Sequence, residues 1–326
     1  MNDIKHKILN LVKDDLSEIE VALEQNLNPH LDLVSQIAGH ILFSGGKRLR
    51  PLLMVLSARL CGYDGNYEKT FSTIFEYLHA ATLLHDDLVD EATLRRGKPV
   101  AHSIWGNAIA VLVGDFLLAR SLSIAAETKR PDVIKVVAEI TENMSQGEIH
   151  QLLKKGFLDL TEKEYMEIIR RKTAVLFQGT CRVGALISGV SKEKEAALAG
   201  YGFNLGIAFQ MVDDLLDYSP DTPALGKKVG ADLKEGKLTL PVIYSLKSAD
   251  EKDRIQMEKI IKNKDFSMED FETLIAIMKK YGGQTYTEKI AQKYVKNAKN
   301  ALETFEDSTT KEILLSIADY TLARNV

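Results

Sequence analysis

The chain has 326 residues, 45% of them hydrophobic, enough for a large core in one domain or two smaller ones. Its 46 acidic residues outnumber its 42 basic ones for a net charge of −4, which argues against a general nucleic-acid binder. Two cysteines, Cys61 and Cys181, with no CxxC pair and no Cys/His cluster, exclude a disulfide framework and a zinc site and read as free thiols in a reducing compartment.

From the N-terminus, MNDIKHKILNLVKDDLSEIE reads as an amphipathic charged helix without the uninterrupted apolar core of a signal peptide. Apolar residues recur at three- and four-residue intervals in ILNLVKDDLSEIEVAL and LDLVSQIAGHIL. SGGKRLRP (44–51) interrupts the pattern with a Gly-Gly and restarts a helix at Pro51. After a loop at 62–66, FEYLHAATLLHDD is apolar all round, as a buried helix is, and the helix ends between Thr93 and Gly97. A loop follows at 95–101. The longest apolar run, AIAVLVGDFLLA, is broken by Asp115 and falls short of the roughly 20 residues a membrane span needs. No integral membrane segment is expected, and a cytoplasmic location is. VIKVVAEITENMSQGEIHQLL and IIRRKTAVLFQGTCRVGALI continue the helical spacing, and AALAGYGFNLGIAFQMVDD is again apolar all round. The longest loop spans 218–237, and long loops in compact domains are often functional. From about Ser248 onward, polar helices are expected outside the central bundle. Strand-like alternation is nearly absent, so the fold reads as all-α, a single large helical domain over residues 1–326.

The stretch LLHDDLVDEATLRRG concentrates charge where a helix tolerates it least. Asp86 and Asp90 lie at i and i+4 on one face with Asp87 at their flank, and like charges at that spacing destabilise a helix. The helix is also about to end, where its carbonyls carry partial negative charge. FQMVDDLLDY repeats the arrangement with Asp213, Asp214 and Asp217. Two copies of one unfavourable pattern, far apart in sequence, argue for a shared purpose over a merely solvated acidic face. Six carboxylates facing each other suit Mg²⁺, which ordinarily takes one or two carboxylates and completes its shell with water and substrate phosphate. The pattern therefore predicts a Mg²⁺–diphosphate ligand; a calcium EF-hand is excluded because its loop pattern is missing.

Cations cluster around these motifs. Lys47, Arg48 and Arg50 sit where a helix begins, a position suited to anions. Arg95 and Arg96 follow the first acidic motif, Lys172 and Thr173 lie mid-helix, and Lys227, Lys228, Asp232, Lys234 and Lys237 occupy the loop after the second.

Taken together, GGKRLRP, LLHDDLVD followed by RRG, RRKTA, FQMVDDLLD and GKKVGADLKEGK, in that order between Gly45 and about Pro241, resemble the trans-polyprenyl (isoprenyl) diphosphate synthases. The resemblance implies the isoprenoid synthase fold, a helical bundle around a deep central cavity, in a homodimer. It implies that Asp86, Asp87, Asp90, Asp213, Asp214 and Asp217 hold Mg²⁺ on the diphosphate of an allylic substrate, Asp214 more often through water. With Lys172 and Lys227 these form the implied catalytic set. Arg95, Lys172, Thr173, Gln210, Lys227 and Lys237 would bind the allylic diphosphate. Lys47, Arg50, His79 and Arg96 would bind isopentenyl diphosphate, the second substrate. Arg324, close to the C-terminus, reaches the active site in some relatives. His85 reads instead as a hydrogen-bonded core histidine.

The resemblance also places a growing product beside the helix that carries Asp86. Short-chain members often have an aromatic about one turn before that aspartate; here Ala81 and Thr82 stand there. Removing a ring one turn down opens about 5.4 Å of depth. Leu78, Ile74 and Phe75 lie deeper, with Phe116, Leu118 and Leu122 across the cavity. The expected product is long, octaprenyl as the best single choice, grown from farnesyl diphosphate and of the kind used as quinone side chains. The alternatives are a short-chain farnesyl or geranylgeranyl diphosphate synthase, a class I terpene cyclase, which usually replaces the second acidic motif, and a non-catalytic subunit of a heteromeric synthase, which tends to lack both.

Overall fold

The computed structural model describes residues 2–219, 230–263 and 265–323. The chain opens with α1 (Asn2–Leu11) and α2 (Lys13–Leu27), so the N-terminal helix expected as one is broken at Val12. Next come α3 (Asp32–Leu42), α4 (Leu49–Leu60) and α5 (Glu68–Val89). β1 (Leu94–Arg95) and β2 (Lys98–Pro99) form a small antiparallel hairpin. Then follow α6 (Ala101–Trp105), α7 (Asn107–Glu127), α8 (Pro131–Lys154) and α9 (Glu162–Ile169). A π-helical turn, Arg170–Ala174, leads into α10 (Val175–Ile187) and α11 (Lys192–Leu216). The rest comprises α12 (Ala231–Lys234), α13 (Leu240–Ser248), α14 (Glu251–Lys262), α15 (Met268–Tyr281), α16 (Gly283–Ala301) and α17 (Thr309–Ala323).

The helices that read as apolar all round form the centre. α5 packs along α7, α10 along both α4 and α11, and α11 along α16. Leu53, Met54, Phe75, Tyr77, Phe177 and Tyr201 are fully buried between them. Buried tyrosine hydroxyls need acceptors. Tyr77 donates to the Leu23 carbonyl at 2.6 Å, tying α5 to α2, and Tyr201 donates to the Leu314 carbonyl at 2.8 Å, tying α11 to α17. The expectation that the C-terminal third lies outside the bundle holds only in part. Val295, Ala298, Leu314 and Ile317 join the main core, while Phe266, Phe271, Leu274 and Met278 gather with Tyr218 and Met211 in a second one.

Two further differences from the sequence reading have local causes. The loop at 95–101 contains the hairpin, whose two turn residues, Arg96 and Gly97, both take positive φ (53° and 76°). That is the backbone of a type I′ turn, which matches the twist of its flanking strands. The apolar run around Asp115 lies in a 21-residue helix, α7, that is long and apolar enough to cross a membrane by length and composition. The interruption at Asp115 is too little to lower the average over a full span. Only 39% of its apolar window is buried, against α5 and its neighbours.

The Arg170–Ala174 turn is clasped from two sides by helices bearing glycine at the contact. A Cβ on Gly147 of α8 would lie 2.8 Å from the Lys172 amide nitrogen, and one on Gly206 of α11 would lie 2.7 Å from the Ala174 Cα. Backbone cannot yield as a side-chain tip can. We expect Gly206→Ala to destabilise the fold in urea by about 1–2 kcal/mol, because overpacking outweighs the gain in helix propensity of about 1 kcal/mol. At Gly200 the nearest contact of a new Cβ is Ala301 Cβ at an ordinary 3.8 Å. Gly200→Ala should therefore stabilise, by up to about 1 kcal/mol.

Candidate active site

A cleft of about 120 Å³ is lined by Asp214 of the second motif with Gln151, Lys155, Lys172, Thr173, Gln210 and Lys237, and three of its lysines, Lys155, Lys172 and Lys237, reach the first motif at the end of α5. The first motif is held by four cations, each from a different segment. The hairpin turns Arg95 back onto Asp87, where Nε lies 2.9 Å from both carboxylate oxygens and a terminal nitrogen 2.6 Å from Oδ1. Asp90 receives Lys237 on Oδ2 at 2.7 Å and Lys155 on Oδ1 at 3.2 Å. Burial alone would raise the Asp90 pKa; Lys237 and Lys155 together hold it below the usual carboxylate range. Asp86 has a weaker partner, Lys172 at 3.7 Å. Burial, with Glu148 and Asp90 close by, raises its pKa to about 6 despite that lysine.

The second motif is organised differently. Asp214 is fully enclosed and accepts from Tyr165 OH at 2.6 Å and Gln210 Nε2 at 2.8 Å. Burial, reinforced by Asp232, pushes its pKa well up. Gln210 in turn accepts from Thr173 Oγ1 at 2.8 Å, so a continuous hydrogen-bonded chain links the π-helical turn to the second motif. Asp217 caps α12: its two oxygens accept from the Ala231 and Asp232 amides at 3.1 Å each. Its carboxylate thus anchors the loop that delivers Lys237. Asp213 is half-buried and lies close enough to Arg50 to act on its charge.

Lys172 is the meeting point. It pairs with Glu148 and donates to Gln151 Oε1 at 2.9 Å, both on α8, while facing Asp86 on α5. Thr173, next to it, reaches Asp214 through Gln210.

The basic residues after Gly-Gly form a second group. Arg48 takes positive φ (46°) and is buried. It donates to Glu20 at 2.6 Å, Glu76 at 2.9 Å and the Leu42 carbonyl at 2.6 Å, so it braces the loop. Arg50 stacks 4.9 Å from the Phe177 ring, and its buried Nε has no hydrogen-bond partner. Burial lowers its pKa to about 10, against the pull of Glu76 and Asp213. The Arg96 guanidinium approaches Gly46 of the same loop. Lys47 lies 5.6 Å from the Tyr320 ring of α17. Burial, then Arg50, Arg95, Arg96 and Arg48, hold the His79 pKa well down, so its imidazole is neutral. Leu78 and Ala81 are buried on α5; Thr82 is partly exposed and bonds the His79 carbonyl at 2.9 Å. His85 contacts the Val111 carbonyl of α7 at 3.2 Å. Lys234 stacks on Phe266, outside the cleft. Lys227, Lys228 and Arg324 lie outside the described residues.

Glu148, Gln151, Lys155, Tyr165 and Glu76 were not singled out in the sequence. Glu148 and Gln151 sit at i and i+3 on α8, and that shared face was the available signal. Among the described residues no three His, Cys, Asp or Glu side chains converge closely enough to hold a metal unaided. The carboxylates nonetheless fit a divalent ion: they are hard oxygen donors, and Asp86 is poorly compensated by the protein's own cations.

The sequence pattern of the polyprenyl synthetase family matches residues 31–278. The octaprenyl diphosphate synthase of Escherichia coli (strain K12) is 36% identical over 319 residues, 98% of either chain. A polyprenyl synthase from Caulobacter crescentus CB15, solved with calcium and isoprenyl diphosphate, superposes with a TM-score of 0.92 at 36% identity, covering 98% of both chains. A decaprenyl diphosphate synthase from Rhodobacter capsulatus does so with 0.92 at 37% identity, covering 98% of this chain and 99% of that one.

The Asp86 geometry predicts a measurable stability effect. A carboxyl raised from 3.8 to about 6 by folding costs stability above pH 6, and the cost vanishes below about pH 4, where folded and unfolded forms are both protonated. Asp86→Asn should therefore stabilise the metal-free protein by up to about 3 kcal/mol at pH 8. Urea unfolding in EDTA should show that gain disappearing between pH 6 and pH 4.

Proposed function

The chain belongs to the polyprenyl synthetase family and is a trans-prenyltransferase, and we propose that it condenses isopentenyl diphosphate head to tail onto farnesyl diphosphate to make octaprenyl diphosphate. One observation carries the reading of the site. Lys172 and Thr173, adjacent residues on a π-helical turn, touch the first acidic motif directly and the second through Gln210, so both motifs address one point.

On this reading Asp86, Asp87 and Asp90 on one wall and Asp213 on the other hold Mg²⁺ with the allylic diphosphate. When bound, the ion neutralises charge developing on the departing diphosphate. Asp217 serves by capping α12 and holding the following loop in place. Asp214 serves by fixing Gln210, and with it Thr173. Lys172, Arg95, Lys237 and Thr173 hold the diphosphate oxygens as the C1–O bond breaks and its electron pair leaves with the diphosphate. Lys227 is assigned to the same task. The double bond of isopentenyl diphosphate, held by Lys47, Arg50, Arg96 and neutral His79, then attacks C1 of the allylic cation. The new cation loses a proton to a diphosphate oxygen, which restores an allylic double bond. Apolar walls keep water from the cation.

Ala81, buried where a ring would block depth, supports a long product. The similar relatives range from short-chain and geranylgeranyl to octaprenyl and decaprenyl synthases, so kinship leaves length to the cavity. The expected result with farnesyl diphosphate, isopentenyl diphosphate and Mg²⁺ is a chromatogram dominated by octaprenyl diphosphate. Ala81→Phe should shift it to shorter chains while turnover continues, and Asp86→Ala should abolish turnover. A sole C15 or C20 product from the wild type would refute the long-chain assignment.

A homodimer is the assembly that the surface supports. α7 and α8 pack together and leave Ile109 and Leu112 (65% exposed), with Ile149 and Leu153 (69% exposed), on the outside. Burying such side chains stabilises by about 1.5–3 kcal/mol each. The wild type should sediment as a dimer and the Leu112→Glu/Leu153→Glu variant as a monomer; a monomeric wild type would rule the interface out.

A further inference from the structure

Asp90 ends α5 with both carboxylate oxygens taken by lysines from separate loops, Lys237 on Oδ2 at 2.7 Å and Lys155 on Oδ1 at 3.2 Å. The two loops are joined backbone to backbone. The Gly156 amide donates to the Gly236 carbonyl at 2.8 Å, and both glycines take positive φ (84° and 76°). Each lysine is the direct chain neighbour of one of these glycines, so the pair is delivered as a unit onto one acid. We propose that Lys155 is a further diphosphate-binding residue of this site, paired with Asp90 and passing to the diphosphate when a divalent ion takes Asp90.

The argument is electrostatic. A carboxylate cannot keep two ammonium groups on its oxygens and also accept a divalent cation beside them, because the three cations, with four positive charges among them, repel at contact distance. At least one lysine must leave. Lys237 keeps a second acceptor, Glu235 at 2.7 Å, beside the diphosphate oxygen assigned to it. Lys155 reaches no acceptor but Asp90 among the described residues. Lys155 also lines the same cleft as Lys172, Thr173 and Gln210. The nearest new negative charge is then the diphosphate that arrives with the ion. Lysine suits the transfer: it is a compact charge on a flexible stem that can swing between two acceptors.

The inference rests on the metal–diphosphate reading of the cleft, and its test separates the two. Binding of inorganic pyrophosphate, with Mg²⁺ present, is measured by calorimetry for wild type, Asp86→Ala, Lys155→Met and Lys155→Arg, each checked for cooperative thermal unfolding. Loss of one charge-assisted bond should weaken pyrophosphate about tenfold in Lys155→Met. Lys155→Arg, which keeps the charge, should recover most of the affinity. In turnover assays, KM for the allylic substrate should rise in Lys155→Met while KM for isopentenyl diphosphate stays unchanged. Wild-type affinity in Lys155→Met, or an equal loss in Lys155→Arg, would overturn the role of Lys155 alone. Absence of Mg²⁺-dependent pyrophosphate binding by the wild type, or its persistence in Asp86→Ala, would overturn the underlying reading and the inference with it.

Discussion

Repulsion between carboxylates at the ends of two buried helices governs this structure. α5 and α11 each finish in three aspartates, where the helix dipole already disfavours negative charge. The protein compensates unevenly. Asp87 has a bidentate arginine and Asp90 two lysines, while Asp214 is pushed toward its neutral form inside a hydrogen-bonded niche. Asp86 is left with one distant lysine that Glu148 also claims. These contacts make the clustered charge tolerable, with Asp86 the least well served carboxylate of the first motif.

What places the compensating groups is backbone geometry more than side-chain length. The π-helical turn at Arg170–Ala174 shifts the helix phase between α9 and α10, and such turns are frequent at functional sites. Here it presents Lys172 toward α8 and α5, and Thr173 toward α11. Glycines on α8 and α11 let both neighbours press against that turn. The hairpin does similar work for Arg95 by reversing the chain within two residues, so that a side chain eight positions after Asp87 returns to it. Asp217 shows the same economy, since a carboxylate from the second motif holds the amides of α12 and so sets the position of Lys237.

The all-α class and both acidic motifs were legible because they are local: a period of 3.6 and a DDxxD spacing survive in the bare string. The cations RRKTA and RRG were legible for the same reason. Groups whose meaning depends on distant partners were not. Arg48 sits in a run of basic residues and reads like its neighbours, yet a positive φ and two acids 28 residues away on either side turn it inward as a brace. Tyr165 carries no signal in the bare string, and only the fold shows its hydroxyl on Asp214. The hairpin was missed because its strands are two residues long, below any useful period, and the C-terminal helices because a polar face hides the narrow stripe that joins the main core.

The two anion-binding regions differ in the sign of their own charge, and on the proposed reading that difference assigns the substrates. The acidic walls repel a bare diphosphate and accept one only with divalent ions between. The group around Arg50 needs no such help: Arg48, Arg50, Arg95 and Arg96 surround a neutral His79, and Arg50 keeps a buried nitrogen without a partner. A diphosphate entering there meets direct donors. Only the first arrangement stacks metal charge on the leaving oxygens, so only its substrate has its C1–O bond weakened. The isopentenyl diphosphate, bound by arginine, lysine and a neutral histidine with no metal between, stays intact and supplies a double bond. Which end of the product keeps its diphosphate follows from which pocket is lined with acid.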